Sequence, residues 1–586
     1  MKKIMYFLSA AFVAVGFSAC SLDADNVTET STENFPVTES DAVATLAGIY
    51  ENLNAVNANP QQSFLYYAML ASDDQLGGGG ANDKLMQSMD MILNNGQNMT
   101  NDFYEQRYQG INRANTLIKA LPSLNLPETV KAQDMGEALF LRAFYYYELA
   151  SMYGNVPLLT EPSGEVTRPG DVNVLWAQIL QDLYQAATTM PSVRKSDGHV
   201  DKYTAEAMLG RAWLFYTGFY GNGSSVAELT STAYNPITSV ELPDGTTLTK
   251  QMVITLIDDC VNNSGYSLVS DFRNLWAYTN RLVVEEYPYT KGQNLKWVED
   301  DQSSASVVNP ESMFAIKFNK LASWSTTIGY GNGYALHFGV RGGQDYANTF
   351  PFGQGWGAGP VAPNLVNDWK AAEPNDMRRD ATIQNVFEMP NYVTGGASWA
   401  DFIQETDYFG KKISAISAKK DDGSYVPVFE QIMYGEDGWV NDNLMQTGNI
   451  HDLVLIRFAD VLLMQSELKE DVEGINKVRA RAGLPALTSY SLSALQNERR
   501  WEFATEGIRF NDLRRWHIAA TALAKQEGQP IRTSGVASTN TAHNGGYAAR
   551  YNATAGFQKI PEKQISLGYI NQNEGWTGSD SEYQGW

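Results

Sequence analysis

From Gly136 to Tyr153 the chain reads GEALFLRAFYYYELASMY, and its apolar residues recur at the spacing of a helix rather than of a strand. Leu139, Ala143, Tyr146 and Ala150 share one face, where small and large side chains mix as they do in helices that pack closely in antiparallel pairs. Gly154 lies just past the end and Pro157 follows, both helix-stop signals. Similar segments occupy 41–53, 103–121, 174–190 and 204–220. Helical pairs joined by short connections point to a tetratricopeptide-like (TPR-like) solenoid, although the strict repeat length of that motif is absent.

The pattern changes after about residue 270. Seven of the 13 tryptophans lie between Trp276 and Trp439, and ten of the residues from Gly329 to Pro360 are glycine. Periodicity is poor there, with one strand-like run at 313–318. Long ordered loops in compact proteins usually carry function. Helical patterning returns at 451–468 and again from Ser493, where Ser493 and Gln496 suggest a capping box and Gly507 a helix end. The expected fold is mainly α: a TPR-like helical-pair scaffold with an inserted irregular, loop-rich lobe holding a few short strands. The corresponding divisions are 1–19, 20–40, 41–260, 261–450 and 451–586.

The first nineteen residues read as an export signal. Lys2 and Lys3 precede an apolar run from Ile4 to Phe17, which is too short to span a bilayer but fits a secretory signal. Ser18 and Ala19 lead into Cys20, a pattern similar to a bacterial lipobox, with Phe17 where leucine is preferred. Lipidation at Cys20 would provide a membrane anchor, and the acidic, polar stretch to Ser40 reads as a flexible tether. Cys260 is expected to be a small core residue. Two cysteines exclude a disulfide framework, and five scattered histidines argue against zinc. A formal charge of −23 repels polyphosphate and argues against nucleic acid. A neutral partner fits better.

The C-terminal half contains LVLIRFADVLLMQSE (453–467), INKVRARAGLPAL (475–487), NERRWEFATEGIRFNDLRRW (497–516), YNATAGFQKIPEKQI (551–565) and QNEGW (572–576). Together with 136–158, these motifs resemble, colinearly over essentially the whole mature chain, the SusD/RagB family of Bacteroidetes outer-membrane nutrient-binding lipoproteins. The resemblance implies surface exposure at the outer membrane, with the lipid at Cys20 as anchor. It also implies a SusC-like TonB-dependent transporter as partner and an oligosaccharide or polysaccharide as cargo. The matched motifs read as structural: Arg499, Arg500, Glu502, Glu506, Arg509, Asp512, Arg514 and Arg515 are expected to form an ion-pair network holding the last helices against the lobe. Phe144–Tyr147 is expected to be core.

A neutral sugar presents apolar faces and hydroxyl rims, so its capture needs aromatic platforms and a few polar side chains. The stretch 322–356 has that composition, with Trp324, Tyr330, Asn332, Tyr334, Arg341, Gln344, Asp345, Tyr346 and Trp356. In the family, platform aromatics commonly follow a strand resembling NPESMFAIKF (309–318), which favours Trp324, Tyr330, Tyr334 and Trp356. The segment 72–101 is the second candidate: its four consecutive glycines suggest a mobile loop, and Asp73, Asp74, Asn82 and Asp83 offer acceptors. Trp399 and Tyr408 are outer candidates. The alternatives are a peptide-binding or scaffold subunit, as RagB-type members suggest, and last a glycoside hydrolase. No nucleophile, zinc-protease or phosphate-loop motif supports catalysis. No cofactor is expected; structural calcium occurs in some relatives, but no EF-hand-like spacing is present.

Overall fold

A computed structural model describes residues 35–55, 60–162, 165–300, 308–318, 331–341, 346–353, 355–389, 392, 401–427, 448–541 and 543–586. Cys20 and the tether up to residue 34 lie outside them. The frame begins with α1 (Glu39–Ala55), α2 (Asn101–Ala120), α3 (Glu128–Tyr153), α4 (Val172–Thr189), α5 (Lys202–Phe219) and α6 (Lys250–Asn263). Each packs against the next. In α3 the run from Gly136 to Tyr153 is buried throughout, Phe144–Tyr147 included. The helix ends at Gly154, whose φ of 76° is open to glycine and strained for other residues. Asp201 caps α5 by accepting the Thr204 N–H at 2.8 Å. Among the described residues no helix is long and apolar enough to cross a membrane. Cys260 is buried in α6.

An antiparallel pair ties the lobe to the start of the C-terminal helices. Strand β1 (Ser312–Ile316) pairs with β2 (Leu453–Arg457), so that Ser312 faces Arg457 and Ile316 faces Leu453. The C-terminal helices α8 (Phe458–Lys469), α9 (Leu492–Phe503) and α10 (Arg509–Arg515) then close the frame, with α8 against α6 and α10 against α5. The cap of α9 is Ser491, which accepts the Ala494 N–H at 3.2 Å. The expected Ser493–Gln496 box is therefore replaced by a cap two residues earlier.

The opposite-charge motifs form a buried lattice, except that Arg514, expected within it, donates instead to the Ser151 and Ala555 carbonyls at 2.7 and 3.2 Å. Glu502 is held by Arg378 at 2.9 Å and by Arg457 and Arg481. Burial raises its pKa, but the three guanidiniums outweigh burial and keep it well below the usual carboxylate range. Arg499 joins Asp460 at 2.7 Å to Asp512 at 2.8 Å, and Arg515 binds Glu467 at 2.8 Å. Arg500 and Arg509 reach back to the first quarter of the chain. Each charge is worth its desolvation only while paired, so the lattice makes the fold intolerant of single truncations.

Candidate functional site

Four glycines place the site. Residues 71–80 are buried, and the segment forms bridges to the lobe at Gln75–Val361, Gly78–Ala358 and Gly80–Phe402. Gly79 donates to the Gly357 carbonyl at 3.0 Å, and Ile403 donates to the Gly79 carbonyl at 2.8 Å. Gly78 has a φ of +70°, and a Cβ there would stand 2.2 Å from the Gly357 oxygen. Absent side chains serve close packing here, so the expected mobile loop is a clasp. Its two aspartates are not ligand acceptors: Asp73 accepts from Arg509 Nε at 2.7 Å and Asp74 from Arg500 Nε at 2.8 Å, both carboxylates being buried. For Asp73, burial is outweighed by Arg509 and Arg500, which hold its pKa below the ordinary range.

Beside the clasp, Arg341 is buried yet carries two partly exposed carboxylates. Its Nη2 donates to Asp401 Oδ1 at 3.0 Å and its Nη1 to Asp83 Oδ2 at 3.4 Å. The side chains of Asp83 and Asp401 are 34% and 47% exposed. The Arg341 Nη1 also donates to the Trp356 carbonyl at 2.7 Å, which fixes the backbone carrying that indole. Asn82 is exposed next to Asp83.

Trp356 is half-buried, and its indole is backed by the His337 ring at a centroid distance of 4.4 Å. His337 lies in α7 (Gly333–Phe338), a short helix capped by Asn332, and its Nδ1 is 3.2 Å from the Tyr66 hydroxyl. Burial pushes the His337 imidazole down to about 3, so the support behind Trp356 is uncharged near neutral pH. Arg341 thus ties the two carboxylates to the backbone of the partly exposed indole, with the exposed Asn82 next to Asp83 in the chain, and these residues are taken together as the candidate rim. Side chains of these types can stack on an apolar sugar face and accept bonds from adjacent hydroxyls.

Tyr334 does not join the rim. It is 2% exposed, and its hydroxyl lies 2.6 Å from Ser63 Oγ, because its position in α7 turns it toward the frame. Trp324, Tyr330, Gln344, Asp345 and Trp399 lie outside the described residues, as does the Tyr346 side chain. Tyr408 is half-buried in a short strand, Tyr408–Gly410. His337 and Asp401 were missed as site residues; the usable signals were the helical spacing of His337 from Tyr334 and the nearness of Asp401 to Trp399. Among the described residues no group of three or more His, Cys, Asp and Glu could hold a metal ion.

The SusD family model matches residues 279–576, and a model described as starch-binding, associating with the outer membrane, matches residues 25–214. The chain is similar to SusD-like protein P38 of Formosa agariphila, with 22% identity over 86% of this chain and 90% of that protein. It is also similar to a SusD-like protein of Bacteroides ovatus, with 21% identity over 70% of this chain and 64% of that one. Among solved structures, a laminarin binding SusD-like protein superimposes with a TM-score of 0.65 and 24% identity, over 92% of this chain and all of that one. Surface glycan-binding protein A from Bacteroides thetaiotaomicron in complex with laminarihexaose gives 0.60 and 18%, over 92% of this chain and all of that one.

Proposed function

Because the chain belongs to the SusD family, we propose that it captures a neutral oligosaccharide or polysaccharide at the cell surface for import through a SusC-like TonB-dependent transporter. The observation that carries this reading is the half-buried Trp356 indole, backed by His337 and flanked by the Asp83–Arg341–Asp401 group. A rigid, uncharged ring loses little entropy on binding, and pre-paired carboxylates accept hydroxyls without first shedding a mobile counterion. The glycan-binding names of structural relatives point the same way. The lipid at Cys20 would hold the lobe at the outer membrane, and the frame would face the transporter.

The protein acts by binding alone. Stacking and hydrogen bonding need no cofactor, and the adjacent acid pair Asp73–Asp74 is occupied by Arg509 and Arg500. The test is affinity electrophoresis of the wild type and Trp356→Ala through gels containing laminarin, starch and other neutral polysaccharides. Retardation by at least one polysaccharide, largely lost in the variant, is expected. Equal retardation of both proteins overturns the site, and release of reducing ends by the purified protein overturns the non-catalytic role.

A further inference from the structure

The frame carries a groove that shares no residue with the lobe. It holds about 350 Å³, within the range of small-molecule sites, and lies between α2, the segment after α3, and α11 (Glu562–Ser566) with the turn beyond it. On α2, Tyr104, Tyr108 and Asn112 fall at successive i, i+4 positions, and Gln109 adjoins them on the same side. A solvent-facing helix stripe usually bears charge. Here Tyr108, Gln109 and Asn112 reach the surface, with Tyr104 buried one turn before them and Glu105 as the charged neighbour.

Two of its three tyrosines are fixed by their hydroxyls. Tyr108 donates to the Pro157 carbonyl at 2.7 Å and Tyr569 donates to Gln564. Both stay half-buried, so ring surface remains open on a rigid mount. The Tyr104 and Tyr108 rings meet at 5.0 Å, centroid to centroid. Gln109 and Asn112 are exposed, and among the described residues their side-chain amides have no partner. The one charged side chain lining the groove, Glu105, is neutralised by Lys563 at 2.7 Å.

We infer that this groove is a second carbohydrate-binding site, taking a neutral pyranose segment between Tyr108 and Tyr569 with Gln109 and Asn112 on its hydroxyls. Absence of uncompensated charge disfavours ionic ligands, and free amides beside aromatic faces are the donor–acceptor set that hydroxyl pairs need. Exposed Leu567 and Val166 at the rim, 66% and 48% exposed, would cover the apolar face of a bound ring. The inference rests on the glycan-binding reading of the lobe but not on the lobe's residues. Two separated sites would let one polymer chain bind with an avidity neither site has alone.

The test is calorimetric titration of the mature chain in detergent with laminarihexaose and with maltohexaose, together with the same polysaccharide gels. Four forms are compared: wild type, Trp356→Ala, Gln109→Ala/Asn112→Ala, and the combination. Both amides are exposed, so the double change leaves the fold intact; Tyr569→Ala serves as an independent ring variant. Expected are two sites in the wild type, one in each single-site form, none in the combination, and severalfold weaker gel retention of each single-site form. One site that only Trp356→Ala removes overturns the groove and leaves the lobe reading standing. One site that only the groove changes remove overturns the lobe reading instead. Binding to none of the probes or gels overturns both. Unchanged sugar titration with impaired transporter co-purification makes the groove a protein interface and overturns the inference.

Discussion

The Trp356 indole and the His337 imidazole lie 4.4 Å apart, centroid to centroid, with the histidine on the buried side. Burial pushes that histidine down to about 3. An unfolded histidine titrates near 6.5. Between those values the unfolded chain binds a proton that the folded chain refuses, so this group's contribution is lost as pH falls through the window. The slope approaches about 1.4 kcal/mol per pH unit well below pH 6.5. His337→Gln removes the titration. The wild-type-minus-variant difference in unfolding free energy, from urea titrations at pH 7 and pH 5, should fall by about 1–2 kcal/mol. A difference constant with pH would show that the imidazole is solvated, and Trp356 unsupported.

The same neutrality has a binding consequence. No charge appears behind the indole between pH 5 and 8, so gel retention by the lobe should show no step near the ordinary histidine value. A step there that disappears in His337→Gln contradicts the neutral-support arrangement.

Tyr334 separates stacking from packing. Its hydroxyl lies 2.6 Å from Ser63 Oγ, and the ring is 2% exposed. Tyr334→Phe should cost about 1 kcal/mol of stability, the usual net worth of such a bond, and leave polysaccharide retention unchanged. Weaker retention at unchanged stability would return Tyr334 to the rim.

Arg500 binds Asp74 at 2.8 Å and Asp368 at 2.8 Å, tying α9 to the glycine clasp and to the lobe. The Arg500 and Asp74 side chains are only 5% and 1% exposed. Arg500→Ala leaves Asp74 buried without its main partner, which costs about 3–5 kcal/mol in comparable buried pairs. Equilibrium denaturation reads it directly; a loss under about 1 kcal/mol would place the pair in solvent.

Much of this was legible in the chain, and the limits have physical reasons. The helix over 136–153 announces itself because one helix face repeats within the segment. The charged C-terminal motifs read correctly as structural because so many opposite charges fall within a few turns. Asp73 and Asp74 did not, since nothing local says that Arg509 and Arg500, more than four hundred positions later, will claim them. Tyr334 and Trp356 are both large aromatics of one glycine-rich stretch, and only tertiary packing, which turns Tyr334 toward Ser63 and lays Trp356 against His337, decides which one stays partly exposed. A glycine run is ambiguous for the same kind of reason: the missing Cβ permits either freedom or close approach, and tertiary neighbours choose.

That choice makes the clasp testable at two of its glycines. At Gly78 a Cβ would meet the Gly357 backbone oxygen at 2.2 Å in a backbone of φ +70°. Backbone cannot yield as a side chain does, and L residues are strained at that φ. Gly78→Ala should therefore destabilise the protein by more than about 1 kcal/mol and loosen the clasp as a whole. At Gly80 the nearest atoms are Arg341 Nη2 at 2.3 Å and Asp401 Oδ2 at 2.4 Å, both side-chain ends. They can move aside, but only by parting the ion pair that shapes the rim. Gly80→Ala should keep most of the stability and lose several-fold in polysaccharide retention, measured by denaturation and affinity gels on the same preparations. Retention equal to wild type in Gly80→Ala would show that the Arg341–Asp401 pair takes no part in binding.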